Sequence, residues 1–559
     1  MRTSKYFLYT LKDKKLNTFS FVNDFMIKSG LIRKLSSGIY SYMPIGLKII
    51  NKISKLIREE MKKIYATEIL MPILQPINIC NISNKFNTYK SELLYCNTIK
   101  NNNCYILSPT NEEIITNILK KEIKSEKLLP IILFQIQSKF RNELRPKNGL
   151  LRTKEFIMKD AYSFHNSKKS LNETYEKILI SYKKIFKKLN LNFFINKANS
   201  GIIGDNLSHE FHILSKYGEN KIGLCEKSNI SGNIDIIKNY IKKKNNYFIN
   251  IKNKIKLINE NKVNKNNLIK VFILYSNKNY ISSKFIAVVI KYNHKLSLFK
   301  INKLKYIQKP IKFANKDEIY SITKTSIDYV GILNIKIPII IDYDVSIMNN
   351  FITGANIDNK FFYGVNWYRD IKLPIIEDIR EITYNDKSLF KINSKIIIKK
   401  SIEIAHIFKL YDKYSSLYNF FINNKNILMG CYGIGISRIF FSLVEQNYHN
   451  NKILWPSNIE PFEISIISIN LNNIKIKKIS EKIYNFLLKN NIDVLFNDKN
   501  EYLGDILYNM DIIGISKLII ISEKNIDKNI IEYIDKKKKN RILINENDFY
   551  NKILFILKN

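Results

Sequence analysis

Two arginines, a glutamate and a phenylalanine crowd into one short span, Phe140-Arg141-x-Glu143, a loop, and then Arg152-x-x-x-Phe156. Guanidinium groups grip phosphate oxygens bidentately, and a ring can stack on a purine, so the set suits a nucleotide. The flanking pattern says how they are held. Phe134, Ile136, Ser138 and Phe140 alternate with Gln135, Gln137, Lys139, Arg141 and Glu143, a period of two that predicts a strand with one packed face. Pro146 and Gly149 mark a loop, with Arg145 beside them. Arg152 to Phe164 returns as a second strand, Arg152 and Phe156 on the same side by parity. The expected arrangement is two antiparallel strands whose shared face carries Arg141, Glu143, Arg152 and a ring. A solvated sheet face with scattered charges would show the same pattern.

Three further segments hold polar groups at suggestive spacing. SPTNEE begins like a helix N-terminus, with Thr110 as a plausible cap and acids in the first turn. SIEIAHIF brings Glu403 and His406 near enough to share a site, although the segment is too short to decide between helix and strand. Gly430-Cys431-Tyr432-Gly433-Ile434-Gly435-Ile436-Ser437-Arg438 leads into IFFSLVEQNY. Glycines so placed can serve strand–helix packing alone, His406 could be structural, and Cys431 could be a small buried side chain.

FRNELRPKNGLLRTKEFIMKDAYSFH resembles the second signature motif of class II aminoacyl-tRNA synthetases, and Gly430–Arg438 resembles the third. With MRTSKYFLYTLKD and IRKLSSGIYSYMPIGLKI added, the chain is similar over nearly its whole length to bacterial-type prolyl-tRNA synthetases. That resemblance implies activation of L-proline by ATP to prolyl-adenylate, then transfer to the 3' end of tRNA(Pro). It implies Arg141 at the α-phosphate, Glu143 at the adenine amino group, Phe156 stacked on the ring, and Arg152 also at the nucleotide. Arg438, with Mg²⁺, is expected at the pyrophosphate end; no protein metal ligands are assigned. Thr110 and Glu112 are expected to receive the proline ammonium, with Glu403, His406 and Cys431 lining the same pocket. Arg145 is expected at the tRNA acceptor stem. Another class II synthetase and a non-catalytic tRNA-binding paralogue are the alternatives. Thr110-x-Glu112 favours proline over the first, and the presence of Arg141, Arg152 and Arg438 speaks against the second.

The elements that must position these groups suggest three domains. An α+β catalytic domain with the antiparallel class II sheet is expected at 1–223, resuming at 396–456 with the third motif. Short apolar runs such as VFILY, FIAVVIKY and KIPIIIDY between Asn/Lys-rich linkers suggest an inserted α+β domain at 224–395. Strand–helix alternation beyond WPSNIEPF predicts a small, largely parallel α/β domain at 457–559. Its Asp498, Gly504, Asp511 and Gly514 fit the family's anticodon-binding domain. Near the start, over Gly46 to Tyr65, Ile49, Ile53, Leu56, Ile57, Met61 and Ile64 fall at helical spacing. They precede TEILMPILQP, read as a strand that Pro72 confines to an edge or interface. The family likeness makes that segment a homodimer interface. It also makes the insertion an editing domain that hydrolyses alanyl-tRNA. Lys270 and Asp342 match that domain, but Phe361 stands where a histidine important for editing is usual, so editing is expected to be weak or lost. His294 is a possible substitute for the missing imidazole.

Bulk properties set outer limits. Lys and Arg number 91 against 49 acids, a formal net charge of +42, which suits a polyanionic partner such as tRNA. The chain is also crowded with Lys, Asn, Ile, Tyr and Phe, residues with A/T-rich codons, so drift could supply part of that charge. Lys536 to Lys539 could touch RNA or form a plain solvated tail. The five cysteines show no CxxC spacing, which speaks against a zinc site or disulfide framework and fits a reducing cytoplasm. No signal peptide or membrane-spanning run is expected.

Overall fold

The computed structural model describes every residue except 12–19, 84–89, 98–103, 199–207, 228–229, 239–253, 385, 388–393 and 559. Helix α1 (Pro44–Lys62) buries the stripe Ile49, Ile53, Leu56, Ile57 and Met61, the apolar face that the spacing predicts. Pro44 opens it, where a missing N–H costs nothing. Helix α2 spans Glu112–Glu122, strand β1 Ile131–Phe140, strand β2 Glu155–His165 and helix α3 Lys168–Lys188. Strand β3 runs over Ser208–Leu214, β4 over Ile396–Tyr411, β5 over Leu428–Gly435, and helix α4 over Ile436–Asn447. The Glu403–His406 segment therefore belongs to a long strand, a point its sequence leaves open.

Sheet order runs β1–β2–β5–β4–β3, antiparallel throughout. The short Thr67–Glu68 ladder adds in parallel to β1. TEILMPILQP is thus not one strand. It breaks after Glu68 and resumes only at Leu74–Pro76, which pairs with Cys104–Leu107. Pro72 cannot donate to a ladder, and the free backbone groups of Met71 are taken up by side chains of β1. Met71 N donates to Gln135 Oε1 at 2.9 Å, and Gln137 Nε2 donates to Met71 O at 2.7 Å. One face of the sheet is backed by α3, where Lys159 Nζ of β2 donates to Tyr182 Oη and Tyr432 O. Complete burial pushes the Lys159 pKa down to about 7.

Residues fall into two compact units. Met1–Phe193, Ser200–Glu219 and Ser401–Asn559 make one; Phe194–Asn199 and Asn220–Lys400 make the other. The second unit holds a four-stranded mixed sheet and a three-stranded antiparallel one. Residues 242–246, within an Asn/Lys-rich linker of the sequence, lie outside the described residues.

At the C-terminal end of the first unit, Val494–Asn497, Ile464–Ser468 and Lys517–Ile521 are parallel neighbours. Ile530–Asp535 and Asn540–Asn545 add antiparallel, so the sheet is mixed where a largely parallel one was expected. Lys536–Lys539 is the turn between those last two strands and not a tail; Lys536 pairs with Asp511 and Lys537 with Glu460. The N-terminal segment lies along the outer strand. Arg2 bridges in parallel to Phe496, and its guanidinium holds both Glu481 oxygens at 2.6 Å.

His165 closes β2, fully buried between Ser170 Oγ and Ser163 Oγ, each 2.8 Å from a ring nitrogen. Burial lowers its pKa to about 4, whereas an unfolded histidine titrates near ~6.5. The unfolded chain therefore takes up a proton first. This histidine's contribution to stability is complete above ~6.5 and lost as pH falls toward about 4. Urea unfolding across that window should show a falling midpoint, with a shallower fall in His165→Gln; identical slopes would contradict the assignment.

Candidate functional site

Register alone brings a row of side chains to the open face of the first unit's sheet. Gln135, Asp160, Gly433, His406 and Glu210 are successive partners across β1, β2, β5, β4 and β3. Paired residues in an antiparallel sheet point the same way. The next row carries Tyr162, Cys431 and Phe408, and on the other side come Met158 with Gly435, then Lys139 with Phe156. Glycine stands at the centre, where a Cβ on Gly433 would lie 2.3 Å from Met158 Cε and the methionine methyl would have to move aside. Over this face lies a cleft of about 310 Å³.

At one end the cleft is cationic. Arg141, Glu143 and Arg152 do not sit on the strands, as expected, but just past them. The ladder stops at Phe140 opposite Glu155, and the connecting loop passes through left-handed Asn148 and Gly149. Arg141 Cζ lies 5.2 Å from the Phe156 ring centroid. Its guanidinium keeps an accessible face within the open cleft but is ringed by protein. That enclosure, with the like charge of Arg438, lowers its pKa. Arg438, in the first turn of α4, donates from Nη1 to Glu403 O at 2.9 Å. Glu143 and Arg152 pair at 2.5 Å, and Arg152 also reaches Glu219 at 3.2 Å. The Glu143 carboxyl, raised by burial but lowered more by Arg152 and the Arg145 N–H, is held below its ordinary value.

The other end is anionic. Glu112 Oε2 accepts from Thr110 Oγ1 at 2.5 Å and Oε1 accepts from Cys431 Sγ at 3.3 Å. Burial and the Glu112 charge push the Cys431 thiol well up. Thr110 is not the helix cap; Asn111 holds that position, and its Oδ1 accepts from Lys139 Nζ at 2.5 Å and Ser108 Oγ at 2.7 Å. On β4, His406 Nδ1 lies 3.3 Å from Glu403 and 3.6 Å from Glu210, with Phe408 stacked at 3.7 Å. Burial alone would raise the Glu403 carboxyl. The hydrogen bond and charge of His406, then Arg438 and His212, outweigh it and hold that group well below the usual carboxylate range.

Arg141, Glu143, Arg152, Phe156, Arg438, Thr110, Glu112, Glu403, His406 and Cys431 therefore meet in one cleft, while Arg145 stands exposed on the loop outside its lining. The reading from sequence missed Asp160, Glu210 and the buried Lys139. Asp160 shares the parity of Phe156, so alternation alone could have found it; Glu210 needs the β3–β4 register. The neighbouring His209 has a structural partner in Tyr175 Oη at 2.7 Å.

In the second unit, the three positions compared by sequence with an editing domain have separate surroundings. Lys270 is exposed, its ammonium 5.2 Å from the Phe272 ring centroid. Asp342 is buried, accepting from Asp344 N at 3.0 Å and Ile379 N at 3.2 Å, with Arg380 3.5 Å away. Burial pushes the Asp342 pKa up to about 6. Phe361 is 6% exposed, packed with Leu268 and Ile352 and edge-on to Tyr329 at 5.6 Å. His294 sits beside Asp344 at 3.7 Å, with neighbours other than those of Phe361.

Comparison with known proteins agrees with this geometry. Residues 89–447 match the tRNA synthetase class II core domain (G, H, P, S and T), and 463–555 match an anticodon binding domain. A proline--tRNA ligase of Buchnera aphidicola subsp. Schizaphis graminum is 44% identical, covering 97% of each chain. One from Wigglesworthia glossinidia brevipalpis is 42% identical over 98% of this chain and 97% of its own. A crystal structure of Cryptosporidium parvum prolyl-tRNA synthetase, complexed with L-proline and AMP, shares the fold at a TM-score of 0.57 and 12% identity. It covers 98% of this chain and 80% of that one. Identity above 40% from end to end, on a class II core, leaves one assignment: the chain belongs to the proline--tRNA ligases of the class II aminoacyl-tRNA synthetases.

Proposed function

We propose that the cleft binds ATP at its cationic end and L-proline at its anionic end, and joins them as prolyl-adenylate before transfer to tRNA(Pro). The carrying observation is that three guanidinium groups, of Arg141, Arg152 and Arg438, and the Phe156 ring share one cleft with the Thr110–Glu112 pair. The proline carboxylate attacks the α-phosphorus and pyrophosphate leaves; the terminal ribose hydroxyl of tRNA then takes the prolyl group. Neither step requires a protein nucleophile, because positioning and charge stabilisation suffice. Arg141 neutralises charge gathering on the α-phosphate, Phe156 stacks on the adenine ring, and Glu143, oriented by Arg152, accepts from the adenine amino group. Arg438 holds the departing phosphates. Glu112 and Thr110 receive the ammonium, with Cys431 and the Glu403–His406 pair walling the pocket. Mg²⁺ favours oxygen ligands and keeps phosphates and water in its shell. Glu403, an ionised cleft carboxylate beside Arg438, fits one such position. Bound there, the ion would neutralise phosphate charge. Exposed Arg145 is suited to the acceptor stem.

Pyrophosphate–ATP exchange run across the twenty amino acids tests this reading; exchange should depend on proline. Arg141→Ala and Arg438→Ala should each lower it by about a hundred- to a thousandfold, the effect of losing one transition-state contact, with the thermal midpoint nearly kept. Near-normal exchange in either variant removes that arginine from the mechanism.

Around Pro72 the surface is apolar, with Tyr65 92% and Leu70 77% exposed, and two chains are proposed to associate there. Sedimentation at micromolar concentration should give a dimer, and Leu70→Asp should shift it to monomer. A fully active monomeric wild type would refute the association.

Editing of alanyl-tRNA is proposed to be weak or absent. A proline pocket rejects the smaller alanine only modestly, by about 1–3 kcal/mol per missing methylene, so a competent editing site would matter. Here the phenyl ring of Phe361, set among apolar neighbours, can neither hydrogen-bond nor orient water. Purified enzyme should hydrolyse alanyl-tRNA(Pro) near the spontaneous rate, with Phe361→His raising it. Rapid hydrolysis by the wild type would sink the proposal.

A further inference from the structure

Below the anionic end of the cleft, Asp160 is only 2% exposed and lines the cavity. Its two oxygens are unequal. Oδ2 accepts from Tyr162 Oη at 2.9 Å and Gln135 Nε2 at 3.1 Å, and lies 3.2 Å from Lys139 Nζ. Oδ1 is buried and, among the described residues, has no hydrogen-bond partner. A buried carboxylate oxygen without a donor is costly, and nothing beside it in the sheet can turn to meet it. Gly433 and Gln135 flank Asp160 in register. The first has no side chain, and the amide of the second already serves Oδ2.

We infer that Asp160 Oδ1 is a second acceptor for the substrate's ammonium, a specificity-determining contact alongside Glu112. The inference rests on the reading of the Thr110–Glu112–Cys431 end as the amino-acid pocket. A secondary ammonium in a ring carries two N–H donors. Each Glu112 oxygen already accepts one bond, from Thr110 or from Cys431, whereas Asp160 Oδ1 has no donor among the described residues, so the second N–H meets the less committed acceptor there. Charge points the same way. Glu112 and Asp160 bring two negative charges to this end, and buried Lys139 offsets one; a substrate ammonium supplies the other. Oδ1 thus selects an amino acid protonated at nitrogen. A ring-oxygen analogue, tetrahydrofuran-2-carboxylate, would face it with a lone pair instead.

Asp160→Asn keeps shape and removes the charge. Pyrophosphate exchange should show the KM for proline rising roughly ten- to a hundredfold, the loss of one charge-assisted hydrogen bond, while the KM for ATP stays within about twofold. The ring-oxygen analogue should inhibit the variant about as well as proline binds it, but the wild type far less. A variant with unchanged KM for proline, or with both KM values raised together, overturns the inference. If Asp160→Asn does not fold, the wild-type crystal structure with L-proline decides. The proline nitrogen should lie about 2.7–3.2 Å from Oδ1; a nitrogen held by Thr110 and Glu112 alone, with water on Oδ1, refutes it. Should the wild type show no proline-dependent exchange, the reading of the cleft fails first.

Discussion

The buried ion pair between Lys139 and Asp160 governs how this catalytic sheet is built. Taking two opposite charges out of water costs several kcal/mol per ion in general, and only good geometry with added hydrogen bonds offsets it. The chain meets that condition from three directions. Asn111 gives Lys139 a second acceptor, Gln135 and Tyr162 donate to Asp160, and the Asn111 N–H donates to Tyr162 Oη. Gln75 ties the outer layer in through Ser108 and the Thr110 carbonyl. The segments that cover the sheet are thereby fixed by polar contacts, which also set Thr110 and Glu112 in place.

This explains which features were legible in the sequence. Alternation identified β1 and β2 and the correct side for Gln135, Gln137 and Lys139, but not their environment. A row of amides and charges normally faces solvent, yet Gln135 and Lys139 are fully buried. Their partners come from segments distant in the chain, and no local pattern encodes such closure. Thr110 looked like a cap because threonine before acids usually is one; the adjacent Asn111 was drawn into that position by Lys139. TEILMPILQP carried strand composition throughout, but the backbone of Met71 found better partners in two glutamine side chains. The residues proposed for the nucleotide were easy to pick out because a motif keeps them close together. Glu210 was not, since its place beside His406 depends on strand register.

The cleft divides its work by charge type. Guanidinium groups at one end keep their charge at any working pH and answer the fixed charge of phosphates. At the other end neighbours set the state of two groups, Glu403 held low by His406 and Arg438 while Cys431 is kept a neutral thiol beside Glu112. Gly433 and Gly435 line the same cleft and add no side chain to it.

The N-terminal segment bears on how the chain can be cut. Val494–Asn497 is the outermost strand of its sheet, and residues Met1–Thr3 lie along it, exchanging backbone hydrogen bonds with Phe496. Arg2 covers Tyr484 and Phe496 with its guanidinium, and Ser4 reaches Asp498. An excised fragment beginning near residue 457 would lack that cover. It would present an open strand edge, flat and apolar, of the kind that templates pairing with another chain. The anticodon-binding domain is therefore contiguous in sequence but not self-sufficient at its edge. Its solubility as a separate piece hinges on residues that lie at the opposite end of the polypeptide.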